Sequence, residues 1–129
     1  QRVTEIKQKT GLPVMKAVGV AEPEDLKNPD IYASVADQLM VDAKPAKGAK
    51  LPGGNGFTFD WRLLQGRRWT VPWMLAGGLN PENVAQAITM TGAQQIDVSS
   101  GVESSPGKKD KQKIIDFVRA ARTHSLAVV

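Results

Sequence analysis

The sequence predicts an α/β fold in which parallel β-strands alternate with α-helices. Strand-like and helix-like segments follow one another through the 129 residues, which is typical of parallel strands joined by right-handed crossovers. Two successive apolar runs, 73–75 and 95–98, each lead into a turn of small residues. Such turns after neighbouring parallel strands are typical of phosphate-binding sites.

The first third of the chain is predicted to form two strands with helices around them. Val3 and Ile6 share one face of an opening helix, and Gly11 is placed to end it. The elements after Gly11 are predicted to be a strand over 14–20, a helical region that starts at 22–25, breaks at Asn28-Pro29 and resumes over 31–36, and a strand over 37–42.

A long loop rich in Gly, Pro and Lys follows, over 43–56. Loops of this length are uncommon in compact domains unless they act as lids or binding loops. We interpret the stretch 53–56 as backbone that folds over a ligand, with Gly54 and Asn55 in contact with the substrate; a plain flexible connector is the alternative. Beyond the loop, Asp60 is predicted to cap a short helix.

The centre of the chain is predicted to form a strand over 73–75, then a helix, then a strand over 95–98. Asn80-Pro81-Glu82 opens the helix, because asparagine is a good N-cap, proline suits the first helical position and glutamate suits the positive end of the dipole. Gly92 is placed to end it. A last helix is expected over 110–122. Its sheet-facing residues are expected to be Ile114, Ile115, Val118 and Ala121.

The two turns that follow the strands at 73–75 and 95–98 predict a phosphate-binding cradle. A phosphate dianion needs several donors at once, and glycine lets main-chain N–H groups approach it without a Cβ in the way. The helix N-terminus after the first turn adds unsatisfied N–H groups. Tight turns without a ligand are the alternative. The residues expected to bind phosphate are Gly77, Gly78, Ser99, Ser100 and Gly101.

Asp42 and Asp97 are the carboxylates placed for chemistry. Asp42 follows an apolar strand, and Asp97 lies between Ile96 and Val98. Carboxylates at strand ends of a β/α barrel project into the site on its C-terminal face. Unpaired burial of a charge is costly, so each carboxylate needs a partner or a function. A strand-end cap or a salt bridge is the alternative for either residue.

Composition limits the classes of protein and of site. Apolar residues make up 41% and charged residues 23%, as in ordinary globular domains, and no apolar run is long enough for a membrane span. No signal-peptide pattern opens the chain and no cysteine is present, so a cytoplasmic location without disulfides is expected. No cofactor and no metal are expected. The net charge of +4, without a basic stripe interleaved with aromatics, argues against a nucleic-acid partner.

One charged cluster and one histidine are interpreted as solvated groups. His124 follows the last predicted helix and is expected to lie in a solvated tail. The lysines near the start of that helix are interpreted as a solvated face and not as a ligand site; they are Lys108, Lys109, Lys111 and Lys113.

Four motifs together indicate a family. They are Val41-Asp42-Ala43, the stretch 53–61, the stretch 76–84 and the stretch 97–110. With these motifs in register, roughly residues 12 to 122 resemble the C-terminal part of phosphoribosylanthranilate isomerase of tryptophan biosynthesis. The resemblance implies a (β/α)8 TIM barrel of which residues 1–129 are the C-terminal portion, with strands five to eight of a single domain. The first four strands are then absent from this sequence, since a complete barrel typically needs about 250 residues.

The resemblance implies an isomerase that carries out an Amadori rearrangement of N-(5-phosphoribosyl)anthranilate, a small-molecule phosphosugar. Asp42 matches the family's general acid, Asp97 an acidic position that orients the sugar, and the two turns match the phosphate cradle. The family's general base is a cysteine on the first strand. The span alone is therefore expected to be inactive, with the missing N-terminal half as its partner. Asn55 departs from the family, which more often has a small hydroxyl residue there.

Three other functions remain open. A different phosphosugar barrel enzyme of tryptophan or histidine biosynthesis would share the cradle and differ at Asp42 and in the loop 53–56. A non-catalytic half-barrel would bind phosphosugars without turnover. A small open sheet of four strands would serve as an interaction module. No membrane partner is expected for any of them.

Overall fold

The computed structural model describes residues 2–44 and 59–128, with 124–128 described as helical backbone only. Within these ranges three strands form a parallel sheet in the order β1–β2–β3, namely β1 Met15–Val20, β2 Gln38–Ala43 and β3 Trp73–Ala76. The α-helices in the same ranges are α1 Arg2–Thr10, α2 Lys27–Ala33, α3 Val84–Thr91 and α4 Lys111–Val128; three short 3₁₀ helices cover Pro23–Leu26, Trp61–Leu64 and Ser100–Val102. The α/β class predicted from the alternating segments is confirmed.

The first helix ends where the sequence predicts. Gly11 takes the left-handed conformation, with φ 67°, and its N–H donates to the Lys7 carbonyl at 2.9 Å. Glycine adopts this conformation without a Cβ penalty. Val3 is buried in a cluster with residues of β1 and β2, whereas Ile6 is 40% exposed. Of the two residues predicted to share a face of the helix, only Val3 therefore packs against the sheet.

The predicted helix break at Asn28-Pro29 is wrong. A 3₁₀ helix over Pro23–Leu26 runs directly into α2, which begins at Lys27. Pro29 thus lies in the first turn of α2, where the N–H that proline lacks would have no partner within the helix. Proline is tolerated at this place, and the helical region continues to Ala33.

The segment predicted as a strand over 95–98, called the Ile96 segment below, forms a single parallel bridge between Ile96 and Leu75 of β3 and not a regular strand. The Leu75 N–H donates to the Gln95 carbonyl at 2.9 Å, and the Asp97 N–H donates to the Leu75 carbonyl at 2.8 Å. On its other side the segment pairs with no strand among the residues that the structure describes. One partner alone gives it fewer ladder hydrogen bonds than a central strand has.

The turn before α3 is capped by the predicted residue. The Asn80 side-chain oxygen accepts hydrogen bonds from the N–H groups of Glu82 and Asn83, both at 2.9 Å. Regular α-helix nevertheless begins only at Val84, because residues 81–83 form a turn. Gly92 ends α3 as predicted, with φ 73° and its N–H bonded to a helix carbonyl.

A short antiparallel hairpin precedes α4 and was not predicted. Its strands are β4 Glu103–Ser105 and β5 Lys108–Lys109, and Gly107 takes φ 80° between them. α4 follows, and the Lys113 N–H donates to the Asp110 side chain at 2.9 Å, which caps the helix. Among the described residues, α4 included, no helix is long and apolar enough to cross a membrane.

The buried face of α4 differs from the prediction. Phe117 and Ala121 are 5% and 8% exposed and belong to the main core. Ile114, Ile115 and Val118 are 41%, 37% and 41% exposed, so only Ala121 of the four expected residues is buried. Positions four apart share a helix face. The large Phe117 ring takes the inner position with Ala121, and the face toward Ile115 and Val118 turns outward.

The two faces of the parallel sheet differ in burial. One face packs on the helices and forms the core; its buried residues include Val18, Val20, Leu39, Val41 and Leu75. Residues on the other face alternate with these along the strands. Most of them are exposed or half-buried, including Ala17, Gly19, Met40, Asp42 and Met74. Ala76 at the end of β3 is an exception, at 5% exposure. The described part of the chain thus leaves one face of a parallel sheet uncovered.

Candidate functional site

A cavity of about 240 Å³ opens at the carboxyl ends of β2 and β3. Its walls are the end of β2, the turn after β3 and the segment after the Ile96 bridge. The predicted site residues that the structure describes all line it; they are Asp42, Gly77, Gly78, Asp97, Ser99, Ser100 and Gly101. Gly54 and Asn55, predicted to contact the substrate, lie outside the described residues.

A larger cavity, of about 630 Å³, lies at the other end of β3. It is lined by Arg67, Arg68, Trp69 and Trp73 among others, and no carboxylate is among its lining residues. General acid chemistry needs a side chain that can donate a proton to the substrate. The smaller cavity, which contains two carboxylates, is therefore the candidate active site.

Gly77 brings the first turn against β2. It has φ 98°, and a Cβ built on it would collide with the Ala43 carbonyl oxygen and lie 2.7 Å from Asp42 Oδ1. Only glycine allows this close approach. The turn after β3 therefore lies directly beside the carboxylate at the end of β2.

Gly101 brings the second turn against the first. A Cβ on Gly101 would collide with the Leu79 carbonyl oxygen and lie 3.1 Å from the Asn80 Cα. The two small-residue turns are thus in main-chain contact. They present their backbones to one cavity, as the sequence predicts for a shared anion site.

The first turn is fixed from behind by Asn83. Its side-chain oxygen accepts from the Asn80 N–H at 2.8 Å, and its Nδ2 donates to the Gly78 carbonyl at 2.9 Å. Together with the Asn80 cap, these bonds occupy the N–H groups of Asn80, Glu82 and Asn83. The expectation that the helix N-terminus adds unsatisfied N–H groups for a phosphate is therefore wrong for these three groups. Asn83 was not among the predicted site residues, although a polar residue three positions after an N-cap is a known reciprocal partner.

Asp42 forms an ion pair that the sequence prediction did not name. Lys44 Nζ lies 3.4 Å from Asp42 Oδ2, and the two side chains are 59% and 38% exposed. The Lys44 stem passes over Gly19 of β1, where an added Cβ would lie 3.0 Å from Lys44 Cε. The salt bridge considered as the alternative for Asp42 is therefore present, and it lies at the cavity. Exposed pairs of this kind contribute little to stability.

Asp97 reaches the cavity from the edge of the sheet. Its N–H is bonded to the Leu75 carbonyl at 2.8 Å, which fixes its main chain beside β3. The residue is exposed and forms no ion pair among the described residues. A carboxylate in this position is available to accept hydrogen bonds from hydroxyl groups of a ligand.

The second turn is braced by the β4–β5 hairpin. Lys109 Nζ donates to the Ser99 carbonyl at 2.9 Å and to Glu103 Oε2 at 2.8 Å. The pKa of the Glu103 carboxyl is held below its ordinary value, first by the hydrogen bond from the Lys109 side chain and to a smaller extent by the one from the Gly107 N–H. Lys109 was predicted to be a solvated residue. The Pro106-Gly107 pair was the signal for a turn that would bring it back to Ser99.

A family model and relatives with more than half of their aligned residues identical name one family. The family model described as N-(5'phosphoribosyl)anthranilate (PRA) isomerase matches residues 1–120. An N-(5'-phosphoribosyl)anthranilate isomerase of Ruegeria sp. (strain TM1040) is 64% identical over 123 residues, which are 95% of this chain and 57% of the relative. One of Paracoccus denitrificans (strain Pd 1222) is 62% identical over 93% of this chain and 56% of the relative.

Solved structures of the same kind resemble the fold. Phosphoribosyl anthranilate isomerase from Thermotoga maritima has a TM-score of 0.75 and 38% identity, over 92% of this chain and 57% of that one. An isomerase in complex with reduced 1-(o-carboxyphenylamino)-1-deoxyribulose 5-phosphate has a TM-score of 0.70 and 34% identity, over 92% of this chain and 54% of that one. The chain thus spans little more than half the length of the proteins it matches.

Proposed function

The chain belongs to the N-(5'-phosphoribosyl)anthranilate isomerase family, and we propose that it is the C-terminal part of an Amadori isomerase of tryptophan biosynthesis. The reaction converts N-(5-phosphoribosyl)anthranilate to 1-(2-carboxyphenylamino)-1-deoxyribulose 5-phosphate. The observation that carries the proposal is the cavity at the strand ends, where the predicted acid and both phosphate-binding turns meet. A cytoplasmic location follows from the pathway as part of the same proposal.

We assign β1, β2, β3 and the Ile96 segment to strands five to eight of a (β/α)8 barrel. Sheets made only of parallel strands normally have both faces covered. Here one face is left open, and it carries the alternate residues that would point into a barrel. The share of the relatives' length that the chain spans is 57% for the Ruegeria protein, which fits a half-barrel with its flanking helix. We call this chain, joined to the segment that supplies the other strands, the complete protein.

The phosphate of the substrate would bind to main-chain N–H groups of the two turns. Gly77 and Gly101 keep the turns close together because neither position has room for a Cβ. Fixed amides of this kind bind an anion without having to reorganise. The sugar ring would then extend from the turns toward Asp42, whose Oδ1 lies beside Gly77.

Asp42 would act as the general acid. Its protonated carboxyl would donate to the furanose ring oxygen, so that the ring C–O bond breaks and a Schiff base forms. The carboxylate that remains would be stabilised by Lys44 at 3.4 Å. A base from the segment outside this chain would then remove the proton from C2, and the enolamine would ketonise. Asp97 would hold the sugar by accepting hydrogen bonds from its hydroxyls.

The test is turnover by the complete protein and by its Asp42→Asn variant. The variant should lose a factor of about 10² to 10⁴ in kcat, the usual contribution of general acid–base catalysis. The inhibition constant of inorganic phosphate should stay within about twofold, because the amides of the turns are unchanged. Asp116→Asn is the matched control, since the Asp116 side chain accepts a hydrogen bond from Gln112 on the same helix and does not line the cavity.

Two results would favour an alternative function, and a third would contradict the role of Asp42. A complete protein that binds phosphate but turns over no substrate would be a non-catalytic phosphate-binding barrel. Turnover of another phosphosugar in preference to N-(5-phosphoribosyl)anthranilate would identify a different barrel enzyme. An Asp42→Asn variant with near-normal kcat would contradict the role of the acid. The 129-residue chain by itself should show no turnover under any of these conditions.

A further inference from the structure

We infer that Lys109 is a positioning residue for phosphate binding: it holds the Ser99–Ser100 peptide so that the Ser100 N–H is directed into the cavity. The inference rests on the proposed function and deepens it, because it concerns the phosphate end of the same site. Lys109 itself need not touch the substrate. It acts through the main chain of the second turn.

The contacts place Lys109 against the second turn but outside the cavity. Ser99, Ser100 and Gly101 line the cavity, whereas Lys109 is not one of the lining residues. Lys109 Nζ nevertheless donates to the Ser99 carbonyl at 2.9 Å. The same oxygen also accepts from the Val102 N–H, at the longer distance of 3.4 Å. The shorter bond, from Lys109, directs the Ser99 carbonyl toward the hairpin.

Because the peptide bond is planar, the contact with the Ser99 carbonyl also fixes the direction of the Ser100 N–H. In a trans peptide the C=O and the following N–H point in opposite directions. No cis peptide is found among the described residues. With the Ser99 carbonyl held toward Lys109, the Ser100 N–H points away from the hairpin, toward the cavity. An N–H in that direction is what a bound phosphate oxygen requires.

The hairpin keeps Lys109 in this position. Glu103 Oε2 accepts from Lys109 Nζ at 2.8 Å, and the Glu103 side chain is only 14% exposed. Its other oxygen accepts from the Gly107 N–H at 3.3 Å. Lys113 Nζ donates to the Glu103 carbonyl at 2.9 Å and ties the hairpin to α4. An ammonium group anchored at two acceptors has a defined geometry that a freely moving surface lysine does not have.

Lys108 is a natural control for Lys109. It is the preceding residue of β5 and is likewise exposed. In the described structure its side chain forms no hydrogen bond or ion pair, and its carbonyl accepts a hydrogen bond from the Ser104 hydroxyl. Replacing either lysine by methionine removes the same charge from the same hairpin. A difference between the two variants therefore measures the contact with Ser99 and Glu103.

The experiment compares Lys109→Met, Lys108→Met and Lys109→Arg in the complete protein. Inorganic phosphate binding is measured by calorimetry, and kcat and KM are measured with N-(5-phosphoribosyl)anthranilate. In Lys109→Met the phosphate Kd and the KM should both rise about tenfold, the effect of losing one good hydrogen bond to a charged group. The kcat should stay within about twofold, because the contact is made equally in the ground state and the transition state. Lys108→Met should match the wild type, and Lys109→Arg should lie within about threefold of it.

Three outcomes would overturn the inference. They are an unchanged phosphate Kd in Lys109→Met, equal effects of the two methionine variants, and failure of Lys109→Arg to restore binding. Glu103→Gln keeps the hairpin but weakens the ion pair that holds Lys109. The phosphate Kd of this variant should also rise, and an unchanged Kd would contradict the positioning role of Lys109. Phosphate binding needs no turnover, so these results stand even if the complete protein proves not to be this isomerase. Absence of turnover in the wild type would instead refute the proposed function.

Discussion

Gly101→Ala tests whether the two turns must touch in order to bind phosphate. A Cβ on Gly101 would collide with the Leu79 carbonyl oxygen and would lie 2.9 Å from the Leu79 carbonyl carbon and 3.1 Å from the Asn80 Cα. All of these are main-chain atoms, so no side chain can move aside to relieve the collision. The two turns would have to separate, and the amides on one turn would move away from those on the other.

The expected size of the effect follows from the two costs involved. Overpacking a tight main-chain contact costs about 1–3 kcal/mol of folding free energy. Losing one amide hydrogen bond to the phosphate costs about 1.5 kcal/mol, which is about tenfold in affinity. In the complete protein we therefore expect the phosphate inhibition constant to rise at least about tenfold, while urea unfolding shows a loss of about 1–3 kcal/mol.

Gly66→Ala is the control for this substitution. Gly66 has φ 77° and no atom within 4 Å of a built Cβ, and it does not line the site cavity. The substitution should cost about 1–2 kcal/mol of stability through its left-handed backbone and leave the phosphate constant unchanged. A Gly101→Ala enzyme that loses stability but binds phosphate within about twofold of the wild type would refute the reasoning, since the turns would then work without their contact.

Three further predictions concern the fold. The pKa of Asp37 is lowered chiefly by the Val14 N–H, which donates to its carboxylate at 2.7 Å. The stability that this bond adds is complete above the pKa of the unfolded chain and is lost as pH falls through the lower pKa of the folded protein. Asp37→Asn should therefore flatten the fall in melting temperature between about pH 5 and pH 3. An unchanged slope would contradict it. Asp60→Ala removes the cap that accepts the Arg62 N–H at 3.1 Å and should cost about 1 kcal/mol in urea unfolding, whereas Asp60→Asn should retain most of the cap; equal losses would count against a capping role. The 129-residue chain alone should self-associate through its open sheet face and free strand edges. Light scattering that reports a monomer at all concentrations would contradict this prediction.

The strands and the two small-residue turns were predictable because their signals are local. Apolar runs bounded by small residues place β1, β2 and β3 to within a residue or two. The rule that parallel strands share a carboxyl end then brings Asp42 to Gly77, although residues 43–76 separate them in the sequence. Gly11 and Gly92 were correctly predicted as helix ends because a left-handed cap leaves a single-residue signature.

The features that were missed depend on tertiary contacts. The buried face of α4 is set by where the Phe117 ring fits in the core, and a helical pattern with apolar residues on several sides does not specify that. The ion pair of Lys44 with Asp42 depends on the course of the chain after β2. The hairpin that returns Lys109 to Ser99 is built from strands of two or three residues, too short for a period-two pattern to show.

The central claim is that both turns supply amides to one phosphate. An NMR titration of the complete protein with inorganic phosphate measures this directly, through the amide signals of Gly77, Gly78, Ser100 and Gly101. We predict that all four shift together along one binding curve with a single Kd, while Gly66 and Gly107, which lie outside the cavity, do not move. Saturable shifts confined to one turn, or no saturable shift in either, would contradict the account.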